Sequence, residues 1–91
     1  MSKVILKGYI VVPTEERKAV LEALVTHKAL TLKEDGCLVF EVDPDANDQT
    51  RFNVYEEFVD RSAFEHHQDR VKASEWGKVT VNVARHYQII E

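Results

Sequence analysis

The sequence predicts an α+β domain in which strand-helix-strand occurs twice, with the second helix broken in two. Three observations carry this. Four short runs are rich in β-branched or alternating apolar residues, amphipathic stretches at helical spacing separate them, and 91 residues leave room for one hydrophobic core.

Val4 to Val12 is β-branched without helical spacing, so it reads as the first strand, and Pro13 stops it. Thr14 is placed to cap the helix that follows, with Glu15 and Glu16 near its N-terminus. Val20, Leu21, Leu24, Val25 and Leu32 give that helix an apolar face, while Arg17, Lys18, Glu22 and Thr26 fall mostly elsewhere. It ends before Glu34-Asp35-Gly36, whose glycine is a natural stop. Cys37 to Val42 and Arg51 to Phe58 read as strands two and three, joined by the polar turn Asp43 to Thr50. Asp60 is the expected cap of a second helix that holds Ala63, Phe64, His67 and Val71 at helical spacing. Thr80 to Val83 fits either a strand or a helix. A short helix from about Lys72 to Asn82, followed by a last strand from Ala84 to Ile90, is the preferred division.

This order folds most simply as a split βαβ, ferredoxin-like sheet covered by helices on one face, one domain over residues 1–91. The first strand is apolar on both parities, Ile5, Tyr9 and Val11 against Val4, Leu6 and Ile10. The uncovered sheet face is therefore expected to be apolar, and an exposed apolar face marks an interface, here a homodimer. A chain this small buries only about 60–65% of its unfolded surface, which makes a shared interface physically favourable.

Composition removes several partners. A formal net charge of −4 argues against nucleic acid, which needs clustered Lys and Arg. No apolar run approaches the roughly 18 residues of a membrane span, and the N-terminus lacks the layout of a signal peptide. The one cysteine, Cys37, has no internal partner, and its neighbourhood holds nothing positive that would activate the thiol. The cytoplasm is the expected location.

Three stretches carry a resemblance. Glu34-Asp35-Gly36-Cys37-Leu38-Val39-Phe40-Glu41-Val42, Arg51-Phe52-Asn53-Val54-Tyr55-Glu56-Glu57-Phe58 and Ala63-Phe64-Glu65-His66-His67 resemble, in order and spacing, motifs of the antibiotic biosynthesis monooxygenase family. The resemblance covers nearly the whole chain. It implies a dimer whose two sheets pack face to face into an α/β barrel, each protomer holding a pocket between helices and sheet. It also implies cofactor-free oxidation of quinols or polyketide-derived phenols with O2, although relatives of similar fold degrade haem or isomerise a phosphorylated sugar. The haem-degrading branch uses an Asn near the start of strand one and a Trp where this chain has His67. Neither is present here, which disfavours haem degradation.

Alternation puts Phe52, Val54, Glu56 and Phe58 on one face of strand three. If that face meets the helices, Glu56 is a carboxylate among aromatics, and burial raises its pKa unless a cation or donor is near. His67, on the inner face of the next helix, is its natural partner. Such a pair fixes the imidazole tautomer and makes the other nitrogen a better base, suited to removing a proton from a phenol or quinol. The two residues also fit a purely architectural polar link between sheet and helix, and the readings are compatible. Phe52, Phe58, Phe64 and Trp76 are the expected walls of an aromatic pocket, with a core or interface role open for Trp76. Arg85 shares a face of the last strand with Tyr87 and could hold an anionic or phenolate group, or a surface ion pair.

No metal site is expected. His66 points about 100° away from His67 on a helix, and His27 and His86 lack partners at ligand spacing. Asp43-x-Asp45-x-Asn47 resembles the start of a calcium loop but lacks its later glycine and glutamate. No nucleotide or flavin cradle occurs, and no cofactor is expected. The leading expectation is a cofactor-independent monooxygenase of a quinol or similar aromatic, with a small aromatic substrate and O2 as partners. An isomerase of a small, possibly phosphorylated, carbonyl compound and a non-catalytic ligand-binding dimer are the alternatives.

Overall fold

The computed structural model describes residues 2–91. Its elements are β1 (Val4–Val11), α1 (Arg17–Leu32), β2 (Cys37–Pro44), β3 (Arg51–Phe58), α2 (Arg61–Lys72), α3 (Glu75–Val79) and β4 (Ala84–Ile90). The strands form one antiparallel sheet in the order β2-β3-β1-β4, the ferredoxin-like arrangement expected from the element order.

Register decides which side chains meet the helices. Val4, Leu6 and Ile10 of β1 stand opposite Phe58, Glu56 and Phe52 of β3, and all six are buried. Phe40 and Val42 of β2 extend this face on one side, opposite Glu56 and Val54. On the other side, Ile89, Tyr87 and Arg85 of β4 stand opposite Leu6, Gly8 and Ile10. Because directly paired residues project to the same face, these three β4 side chains belong to the helix side, although β4 is an edge strand and leaves them partly exposed. Gly8 sets the fit of that edge: its φ is +147°, and a Cβ there would lie 1.9 Å from the His86 carbonyl oxygen.

The helix boundaries correct the expectations in three places. Thr14 does not cap α1. It opens a 3-10 turn, Thr14–Glu16, closed by the Glu16 amide on the Pro13 carbonyl at 2.9 Å, so the helix starts from an existing turn without a side-chain cap. Val25 and Leu32, assigned to the inner face of α1, are 73% and 54% exposed. The buried stripe runs instead through Val20, His27 and Thr31, spacings of seven and four residues that stay on one side of the helix. The short helix expected from Lys72 to Asn82 is only α3. α2 ends at Lys72, Ser74 accepts from the Gly77 amide to start α3, and Thr80–Asn82 is turn, neither helix nor strand. Asp60 does cap α2, accepting from the Ala63 amide at 2.8 Å.

The helix-free face of the sheet is also less bare than expected. Ile5, Tyr9 and Val11 are half-buried, and polar side chains lie over Tyr9. The Arg51 guanidinium sits 3.9 Å from the Tyr9 ring centroid, and His86 stacks on the same ring at 4.7 Å. Nearby, Glu57 takes Lys3 at 2.9 Å and the Tyr55 hydroxyl. Among the described residues, no helix is long and apolar enough to cross a membrane.

Candidate functional site

α1 and α2 bring two polar stripes together over the centre of the sheet. Along α1 the buried stripe changes character toward its C-terminal end, from Val20 to His27 and Thr31. Glu34, just past the helix, lies seven residues beyond His27 and continues the same line. α2 answers with His67 and Arg70, one turn apart, while Glu56 rises from β3 below them.

The result is a chain of contacts around His67, which is 3% exposed. Its Nδ1 lies 2.9 Å from Glu34 Oε2, and the Arg70 Nε donates to that same oxygen at 2.8 Å. Arg70 is fixed in turn by donating from Nη2 to the fully buried Thr31 hydroxyl at 2.9 Å. A carboxylate only accepts, so Nδ1 carries the ring proton and Nε2 the lone pair. Nε2 faces Glu56 Oε1 at 3.5 Å, longer than a hydrogen bond, and that oxygen has no hydrogen-bond partner.

Burial governs the electrostatics. Glu56 is pushed up to about 8, first by desolvation and then by the negative charge of Glu34, so it holds its proton at neutral pH. His67 is pulled below the ordinary histidine range by burial, with Glu34 opposing through its hydrogen bond and charge. His27 falls further, to about 3, through burial and then the charges of His67 and Arg70. The His27 ring is stacked on Trp76, centroids 4.7 Å apart and planes 2° from parallel, and meets Phe40 edge-on at 5.3 Å. All three groups are therefore neutral near pH 7.

A cavity of about 270 Å³ opens on this cluster, lined by Leu6, His27, Glu56, His67, Gln68, Val71, Trp76, Arg85 and Tyr87. Of the residues singled out from the sequence, His67, Glu56 and Trp76 are thus brought together at one wall. Phe52, Phe58 and Phe64 are not among its lining. Phe58 lies behind the His67 ring at 4.9 Å, Phe64 packs edge-on against Phe58, and Phe52 is sealed at the far end of β3 under Arg17. Arg85 makes no ion pair among the described residues and instead lines the cavity. The Tyr87 phenol is pushed up to about 12, first by burial and then by Glu56, against the pull of Arg85.

Glu34, Arg70 and His27 were not legible as site residues from the sequence. The available signal was the spacing of His27, Thr31 and Glu34, which places polar residues on the line that begins with Val20. Cys37, as expected, is a half-buried strand residue whose thiol is pushed up by burial. Asp45, in the turn resembling a calcium loop, spends its carboxylate on the amides of Asn47 and Asp48 and on the Asn53 side chain. No group of three or more metal-ligating side chains occurs among the described residues.

This fold recurs in solved structures. One from Nitrosomonas europaea, provisionally named an antibiotic biosynthesis monooxygenase, is 23% identical with a TM-score of 0.79 over 98% of this chain and 94% of its own. Another with the same provisional name, from Deinococcus radiodurans, is 22% identical with a TM-score of 0.76, covering 97% and 90% of the two chains. A third, from Bacteroides thetaiotaomicron, reaches a TM-score of 0.83 at 14% identity, covering 99% of this chain and 87% of its own. Such identities carry the fold alone. No curated protein matches the chain. The sequence model of the antibiotic biosynthesis monooxygenase family matches residues 4–78, and the chain belongs to that family.

Proposed function

We propose that the chain is a cofactor-independent monooxygenase that oxidises a quinol or a related electron-rich aromatic with O2. The observation that carries this reading is a neutral imidazole and a neutral carboxyl side by side on the wall of a cavity wide enough for an aromatic ring. His67 Nε2, its tautomer held by Glu34, accepts the proton of a substrate hydroxyl. Glu56, still protonated, donates a hydrogen bond to the oxygen that becomes negative, as a carboxylic acid kept neutral by burial can do. The 3.5 Å gap between the two groups leaves each without a strong mutual hydrogen bond and free to address a substrate oxygen.

The deprotonated ring then reduces O2 by one electron, and the two radicals combine to form a carbon–oxygen bond. Loss of water from the resulting hydroperoxide leaves a quinone carbonyl, with one oxygen atom in the product and the other in water. Trp76 and Val71 supply the apolar walls that keep solvent from the intermediates.

A homodimer is part of the proposal. It is supported by the partly covered Ile5-Tyr9-Val11 face and by edge strand β4, whose Ile89 remains 49% exposed. Light scattering on a sizing column checks it: a mass of one chain at micromolar concentration would remove it.

The activity test is O2 uptake by metal-stripped protein across a panel of quinols, with His67→Ala alongside. Uptake above autoxidation that disappears in a folded His67→Ala variant is expected. Undiminished turnover in the variant would end the role given to His67, and no uptake with any quinol would end the monooxygenase reading.

A further inference from the structure

The wall of the reactive cavity carries one permanent positive charge, Arg85, and nothing among the described residues neutralises it. Its contacts are with neutral oxygens: Nη2 donates to the Thr80 hydroxyl at 2.9 Å and Nη1 to the Val83 carbonyl at 3.3 Å. Thr80 is fully buried and itself donates to the Trp76 carbonyl at 2.6 Å, so the guanidinium is held by a fixed support. Two of its five N–H groups are used by these oxygens, the Tyr87 hydroxyl lies within reach of the same guanidinium, and at least two N–H groups remain available. Arg85 also stands at a junction. A second hollow of about 360 Å³ shares Gln68, Val71 and Arg85 with the first and continues past Lys72, Gly77 and Val81. Lys72 adds a second cation on its rim, with only a loose contact to Asp69 at 4.0 Å. Tyr87, beside Arg85 on the same strand face, keeps its hydroxyl proton and can donate as well.

A fixed, unpaired guanidinium between an inner cavity that handles a proton and an outer groove with a basic rim describes a ligand with two different ends. We propose that the substrate is an aromatic bearing a carboxylate, which Arg85 grips at the junction while the hydroxyl reaches His67 and Glu56. A carboxylate matches the planar fork of the guanidinium, two oxygens against two N–H groups, and a single charge is neutralised by Arg85 alone. The position of the hydroxyl rests on the monooxygenase reading; the anchor does not.

The test is anaerobic binding, so that no turnover is required, read by fluorescence quenching of Trp76, the only tryptophan of the chain. The probes are (2,5-dihydroxyphenyl)acetate, 3-(2,5-dihydroxyphenyl)propanoate and their methyl esters. At least one acid is expected to bind about tenfold more tightly than its ester. Arg85→Gln should raise the acid's Kd to that of the ester while leaving the ester within about twofold, and Arg85→Lys should keep part of the preference. Equal Kd values for acids and esters, equal weakening of both by Arg85→Gln, or no quenching by any acid would overturn the anchor. O2 uptake with the same acids separates the two ideas. Binding that follows Arg85 without uptake keeps the anchor and removes the monooxygenase reading. Uptake with acids and esters alike, indifferent to Arg85→Gln, does the reverse.

Discussion

The two carboxylates that flank His67 touch the same imidazole and are held in opposite ways. On the α1 side, Glu34 has a guanidinium at 2.8 Å and the ring N–H at 2.9 Å. On the sheet side, Glu56 has no cation, one oxygen without any partner, and a pKa pushed up to about 8. The difference teaches that burial alone does not set how a carboxyl is held, since both side chains are less than a tenth exposed. What separates them is the arrival of Arg70 from α2 on one side only.

The sharpest way to break that contrast is to remove Glu34. Glu34→Leu strands a partly buried guanidinium and frees Nδ1, and unfolding in urea should show a loss of about 3 kcal/mol. It should also pull the His67 pKa down further, by removing the two causes that raise it, which NMR titration of the ring would show. A variant as stable as the parent would mean that the Arg70–Glu34–His67 contacts do not hold the site together.

Glu56→Gln should act through pH. Glu56 titrates at about 8 when folded against an ordinary 4.5, so the folded state keeps a proton that the unfolded state has lost between those values. Its contribution is complete below pH 4.5, declines as pH rises toward 8 at no more than about 1.4 kcal/mol per unit, and is flat above. Urea midpoints of the parent should fall from pH 6.5 to 8, and those of Glu56→Gln should not. In kcat/KM, the same variant should lose an alkaline limb near pH 8 while keeping the acid limb of His67, because the amide still donates but does not titrate.

His27 carries the opposite slope. Folded, it titrates at about 3 against an ordinary 6.5, so stability present above pH 6.5 is lost as pH falls toward 3. His27→Phe keeps a ring on Trp76 and should flatten that acid loss in thermal melts, with an unchanged acid slope counting against a buried neutral His27. The smallest effect belongs to Val25→Lys, far from either carboxylate. At 73% exposure it should change stability by less than about 0.5 kcal/mol, and a larger loss would mean that something covers this face of α1.

Much of the scaffold was legible because its signals are local. β-branched composition without helical spacing gave β1 nearly to the residue, the expected spans of β3 and β4 match the strands found, Asp60 marked the start of α2, and alternation put Glu56 among Phe52, Val54 and Phe58 on the buried side. The site was legible only in part. His67 and Glu56 could be paired because one strand and the next helix are neighbours in sequence. Glu34 is 33 residues from His67, and nothing local links them until α1 and α2 lie side by side. For the same reason Phe52 and Phe58 read as pocket walls: alternation gives their face, but not how much of that face the helices seal.

By itself, then, the sequence determined the order of the elements, the inward face of each strand, and the presence of a histidine and a carboxyl in an apolar setting. Periodicity and caps act within one element, and no partner is needed to read them. Only the tertiary structure decided which carboxylate received the arginine, how far the α1 stripe rotated away from Val25, and that Arg85 faces a cavity rather than an ion pair. It also fixed, through Gly8, how closely β4 approaches β1 beside that cavity. These depend on distances between elements far apart in the chain, and a desolvated charge is governed by whichever group reaches it across that space.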